Sequence, residues 1–159
     1  MSYEQAISEV IKSGDFINGR AVDVFRAELE EYMGCHVVTC GNGTDALQIA
    51  LMALDLERGD EVIIPAFNYI SSSEVCLLLG LKPVYCDVFT DFNIDVAKIE
   101  RLITNKTKVI IPTHLFGLGC NMTVIMNIAE KYSLYVIEDN AQSFGAEYNG
   151  HELGTIGHI

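Results

Sequence analysis

The chain is short of positive charge: ten lysines and arginines stand against 22 aspartates and glutamates, for a formal net charge of −12. That deficit argues against nucleic acid or an anionic membrane surface as the main partner, because both are polyanions gripped by basic side chains. It leaves room for one phosphorylated ligand, since backbone N–H groups can hold an anion without lysine. No apolar run approaches the roughly 20 residues that span a bilayer. The first residues mix Glu4, Glu9 and Lys12 into apolar ones and build no signal-peptide core, so a cytoplasmic protein is expected. The five cysteines are odd in number and form no CxxC pair; most sit in apolar contexts and are expected to be structural thiols, with no metal site. Also missing are GxGxxG, a Walker Gly-Lys-Ser/Thr, and a G-x-S-x-G frame around Ser71–Ser73. These absences speak against a dinucleotide fingerprint, a P-loop and a hydrolase elbow.

What is present is a chain of 159 residues, half of them hydrophobic, enough for one domain with a substantial core. Residues 3–12 and 21–33 carry helical spacing, the second with Val22, Phe25, Leu29 and Tyr32 on one side and Gly34 placed to stop it. His36–Cys40 reads as a short strand and Thr44–Leu54 as an apolar helix. The pattern then alternates: strand Glu61–Pro65, helix Ser71–Leu79, strand Pro83–Asp87, helix Asp95–Ile103, strand Lys108–Pro112, helix Met122–Tyr132, strand Leu134–Asp139. Such alternation implies βαβ units and a mainly parallel sheet in a three-layer α/β fold. Apolar strands such as Val109-Ile110-Ile111 fit a sheet covered on both faces. After Asp139 the alternation breaks at a hairpin signal, Asn149-Gly150, and Gly154 to Ile159 suggest that the sheet continues.

Ligands of open parallel sheets gather beyond the C-terminal strand ends, and the chemistry-bearing residues cluster there. Val136-Ile137-Glu138-Asp139 delivers an acid to such a tip. Asp139 suits a protonated ring nitrogen, or else a helix cap or surface acid. Gln142 suits a ring substituent or a tie across the turn. Gly41-Asn42-Gly43-Thr44 joins a flexible turn to a helix N-terminus, which cradles an anion or simply turns and caps the chain. Tyr69 offers a flat face to a planar ring, with Phe67 as competitor and core packing as the alternative for both. His114 has no second His or Cys at metal spacing and reads as a satisfied loop histidine.

Taken in order, these phrases resemble the DegT/DnrJ/EryC1/StrS family of sugar aminotransferases dependent on pyridoxal 5'-phosphate (PLP). Ser13-Gly14-Asp15-Phe16-Ile17-Asn18-Gly19 is similar to its opening S-G-x-F-I-x-G, and Gly43-Thr44-Asp45-Ala46-Leu47 to its G-T-x-A-L. Gly59-Asp60-Glu61-Val62-Ile63 through Tyr69, Pro112 to Gly117, and Ile137 to Gln142 resemble three further motifs. The resemblance implies a PLP-dependent transferase of fold type I working as a homodimer. It puts the backbone N–H groups of Thr44 and Asp45 on the cofactor phosphate, Tyr69 on the ring face, Asp139 on the ring nitrogen and Gln142 near the ring's O3′.

The family's Schiff-base lysine lies in a Ser-x-x-x-x-Lys stretch beyond Ile159, and all lysines here precede Asp139. Residues 1–159 are therefore expected to be the N-terminal segment and most of the PLP-binding large domain, truncated before the small C-terminal domain. The implied activity moves an amino group from glutamate or a similar donor to a keto-sugar nucleotide, with the isolated chain inactive. A dehydratase of the same family that uses the pyridoxamine form, or an inactive PLP-binding product, are the alternatives.

Overall fold

The computed structural model describes residues 2–159, which divide into two compact units on either side of the Cys40/Gly41 boundary. In the first, helix α1 (Tyr3–Ser13) opens on a capping box. Ser2 Oγ accepts the Gln5 N–H at 3.3 Å while Gln5 Oε1 accepts the Ser2 N–H at 3.0 Å, so two otherwise orphaned backbone donors are satisfied by each other's side chains. Helix α2 (Arg20–Met33) starts at Gly19, where a Cβ would run into the Asp15 carbonyl, and stops at Gly34 in the left-handed region. The expected strand at His36–Cys40 does not form. Its residues belong to no sheet ladder among the described residues, and Val38 is 82% exposed, so β-branched composition alone has nothing to pair with.

The second unit holds the sheet. Strands β1 (Glu61–Pro65), β2 (Lys82–Cys86), β3 (Thr107–Ile110) and β4 (Tyr135–Val136) run parallel in the order β2-β1-β3-β4. Alternate side chains of a strand point to opposite faces, and here both faces are filled. Ile63, Ile110 and Val136 pack with Met122, Ile125, Ile128 and Ala129 of helix α6 (Met122–Tyr132). On the other face Val62, Ile64, Val109 and Ile111 pack with Leu47 and Leu51 of α3 (Gly43–Met52) and Val75 of α4 (Ser71–Leu78). The result is the expected three-layer α/β architecture.

Two elements are much shorter than expected. Asp95 caps α5 (Val96–Ile99), its Oδ1 accepting the Ala97 N–H at 3.2 Å, and the chain then tightens into a 3-10 turn over Glu100–Leu102. The strand expected over Leu134–Asp139 pairs only at Tyr135–Val136 and resumes as a single bridge between Thr113 and Asp139. The intervening Glu138 side chain is engaged elsewhere, as described below. The hairpin forms from β5 (Glu147–Tyr148) and β6 (His151–Glu152), with Asn149 and Gly150 both at positive φ, 52° and 80°, as a type I′ turn requires. Beyond it the chain runs beside β4: His158 N–H donates to the Val136 carbonyl and Glu138 N–H to the Ile159 carbonyl, each at 2.8 Å. No helix among the described residues is long and apolar enough to cross a membrane.

Of the cysteines, Cys76, Cys86 and Cys120 are buried, and burial pushes their thiols up to about 11, 11 and 12. Cys35 and Cys40 are exposed.

Candidate functional site

The C-terminal ends of β1 and β3 and the bridge at Asp139 open onto one cleft of about 240 Å³. Its walls include Thr44, Asn68, Tyr69, Thr113, Asp139 and Gln142. At that volume it is smaller than the ~300–1,000 Å³ usual for drug-sized ligands, which favours a single ring over a dinucleotide. A larger hollow of about 510 Å³ lies beside β4 and α6, lined by Met126, Glu130, Tyr135 and His158 among others; it gathers none of the strand-tip residues.

Four of the five expected site residues meet in the smaller cleft: Thr44, Tyr69, Asp139 and Gln142. Asp45 does not line it. Its N–H donates to Asn42 Oδ1 at 2.9 Å, and its carboxylate accepts from Asn42 Nδ2 at 3.0 Å, so this residue serves the N-cap of α3. The N–H of Thr44, in the first turn, belongs to the groups that helix geometry leaves without an intrahelical partner. Tyr69 lines the cleft with its side chain largely exposed, whereas Phe67 packs against Phe92 with ring centroids 5.3 Å apart.

Asp139 is held from several sides. Its N–H donates to the Pro112 carbonyl at 2.9 Å, and its own carbonyl accepts the His114 N–H at 3.0 Å. Its carboxylate accepts only long bonds, from Thr113 Oγ1 at 3.5 Å and the Ala141 N–H at 3.3 Å. Acceptor capacity therefore remains at the cleft wall. Asn68 Nδ2 donates to Thr113 Oγ1 at 2.7 Å and Ser72 Oγ at 2.8 Å, so the hydroxyl that reaches Asp139 is itself oriented. Gln142 Oε1 accepts the Phe116 N–H at 3.1 Å, which ties the turn and leaves its amide N–H groups to donate.

Sequence reading missed the supports. Asn68 and Thr113 lie 45 residues apart and meet only in the fold. Glu138 is hidden beneath Asp139. Its side chain is fully buried and accepts from His114 Nε2 at 2.9 Å, Gly154 N–H at 3.1 Å, Ile156 N–H at 2.7 Å and Gly157 N–H at 2.5 Å. Burial pushes its carboxyl up, but the His114 bond and the three backbone donors outweigh that and hold it below the usual carboxylate range. His114 Nδ1 accepts the Cys120 N–H at 3.1 Å, so the ring is the neutral tautomer with its proton on Nε2, facing Glu138. The signal available in the sequence was an acid inside the apolar run Val136-Ile137-Glu138, which demands donors from elsewhere.

An acid, an amide, an aromatic face and a helix N-terminus stand at the open edge of a parallel three-layer sheet, and the fold is that of solved fold type I, PLP-dependent transferases. The chain belongs to the DegT/DnrJ/EryC1/StrS aminotransferase family, whose sequence pattern matches residues 2–159. It is 44% identical over 155 residues to the UDP-N-acetyl-3-dehydro-alpha-D-glucosamine 3-aminotransferase of Acidithiobacillus ferrooxidans, covering 96% of this chain and 42% of that protein. Among solved structures it superposes on an aminotransferase from Psychrobacter cryohalolentis with TM-score 0.93 and 39% identity, over 99% of this chain and 42% of that one. It also matches the E. coli GDP-4-keto-6-deoxy-D-mannose-3-dehydratase with bound hydrated PLP, at TM-score 0.90 and 28% identity, over 97% and 42%. The chain thus spans about two fifths of the length of the relatives it matches.

Proposed function

We propose that this chain is the cofactor-binding part of a PLP-dependent aminotransferase acting on a keto-sugar nucleotide, with glutamate or a similar amino acid as donor. The observation that carries the reading is the meeting of Asp139, Gln142, Tyr69 and Thr44 in one ring-sized cleft. The residues fit the group. Asp139 keeps an acceptor for a pyridine N–H, Gln142 keeps donors for a phenolic oxygen, and the first turn of α3 offers N–H groups and its dipole to a phosphate. Tyr69 supplies a face for stacking.

Bound there, the cofactor supplies an electron sink for carbanion chemistry. The chain's part is to orient it. Asp139 holds the ring proton in place, Thr113 and Asn68 fix the Asp139 carboxylate, and α3 anchors the phosphate end. No lysine lines the cleft among the described residues, so residues 1–159 are expected to bind without turning over. The names of the relatives support the substrate class: that of A. ferrooxidans is named for a 3-dehydro sugar carried on UDP. Dehydration of a keto-sugar nucleotide is a second reading, favoured by the likeness to the E. coli dehydratase.

Equilibrium dialysis with PLP tests the binding claim. Saturable binding of one cofactor per chain is expected, weakened about tenfold or more by Thr44→Pro, which removes a first-turn N–H that has no intrahelical partner and is offered to a charged group. Equal binding by the two chains would overturn the phosphate assignment, and no saturable binding by the native chain would overturn the whole reading.

A further inference from the structure

Glu138 is not at the cleft, yet it ties the strand tip that carries Asp139 to two neighbouring segments, the turn after β3 and the chain leaving the hairpin. The strand tip carrying Asp139 follows it directly. The turn from Thr113 to Cys120 is joined to it through the His114 ring, whose other nitrogen accepts the Cys120 N–H. The chain leaving the hairpin is joined through three backbone N–H groups at Gly154, Ile156 and Gly157. His114 closes the circuit with its backbone: its N–H donates to the Asp139 carbonyl, and its own carbonyl accepts the Ser143 hydroxyl at 2.8 Å, one residue past Gln142.

A buried carboxylate without a cation is costly unless every lone pair is met. Here four donors meet it, and one of them, the imidazole Nε2–H, cannot be exchanged for an acceptor because Nδ1 is committed to Cys120. The arrangement tolerates one charge state and one tautomer. Gly157 has no room to adjust either, since a Cβ there would stand 3.0 Å from the Val136 carbonyl and 3.2 Å from Glu138 Cγ.

We propose that Glu138 and His114 are positioning residues that set the aim of the Asp139 carboxylate and the Gln142 amide toward the pyridine ring. The inference rests on the PLP reading above. Glu138 places an anion at the meeting point of three segments, and the donors that gather on it fix where the next residue, Asp139, emerges. Groups that orient a metal's ligands from behind typically matter by about 10–100-fold in affinity or activity, and a residue that holds a cofactor ring is oriented in the same way. Glu138→Gln keeps the shape but sets an amide N–H₂ against the Nε2–H of His114 or a backbone N–H.

The test uses the chain with PLP labelled with ¹⁵N in the ring, at a pH where the free cofactor's ring nitrogen is largely deprotonated. The native chain should bind it and show the resonance of a protonated ring nitrogen. Glu138→Gln should bind about tenfold more weakly, with the resonance moved toward the neutral ring. A native chain that fails to bind overturns the PLP reading, and this inference with it. A folded Glu138→Gln with unchanged affinity and unchanged resonance overturns the inference alone. Should circular dichroism show Glu138→Gln unfolded, His114→Gln and His114→Phe decide. The first retains a donor toward Glu138 and should retain the protonated resonance; the second should lose it, and identical resonances in the two would contradict the proposal.

Discussion

The two most constrained carboxylates sit at opposite ends of the sheet. Glu61, at the start of β1, accepts from Lys82 Nζ at 2.9 Å and from the hydroxyls of Thr104 and Thr107 at 2.6 and 3.3 Å, and the Lys82 bond leads in holding its carboxyl low. Glu138 is likewise low, despite burial. Both ionise more readily in the folded chain than the ordinary value of 4.5. As pH falls below 4.5 the unfolded chain takes up protons first, so the stability these residues contribute is full above that value and is lost as pH falls through the lower folded values. Thermal melts should therefore show a plateau at neutral pH and an acid decline. Glu138→Gln should lower the plateau and flatten the decline; an unchanged acid limb would show that Glu138 carries no such linkage. The sequence shows an acid in an apolar run but not its donors, because the partners of Glu138 lie 16 to 24 residues away along the chain.

At the scale of elements, legibility followed pairing. β1 was read with its observed limits because all five residues are buried and their alternation feeds two separate clusters. The Asn149-Gly150 hairpin was equally plain, since positive φ at both central residues leaves little else for that dipeptide to do. His36–Cys40 misled because β propensity is a preference for a pleated, half-buried surface, which this segment does not have in the described structure. Two substitutions separate these cases. Ile110→Ala, in a fully buried position, should cost roughly 2–5 kcal/mol in denaturant melts. Val38→Ala should stay within about 0.5 kcal/mol, as for most exposed sites. Comparable losses at both positions would mean that residues 36–40 are packed after all.

For the molecule as a whole, the sequence motifs marked the strand tips, and the parallel order β2-β1-β3-β4 is what brings those tips to one edge. The strand tips near Tyr69 and Asp139, the helix start at Thr44 and their gathering at one edge were foreseeable. The displacement of Asp45 from the cleft into the α3 cap follows only from the fold. Because no lysine lines the cleft among the described residues, the purified chain should bind PLP yet give no amino-sugar from a keto-sugar nucleotide and glutamate. Robust turnover would contradict that division of labour. The central claim is that Asp139 holds the protonated ring nitrogen, and ¹⁵N resonance of ring-labelled PLP on the native chain and on Asp139→Asn tests it most directly. A protonated ring is expected on the native chain and a neutral one on the variant; the same resonance on both would show that Asp139 does not hold the ring proton.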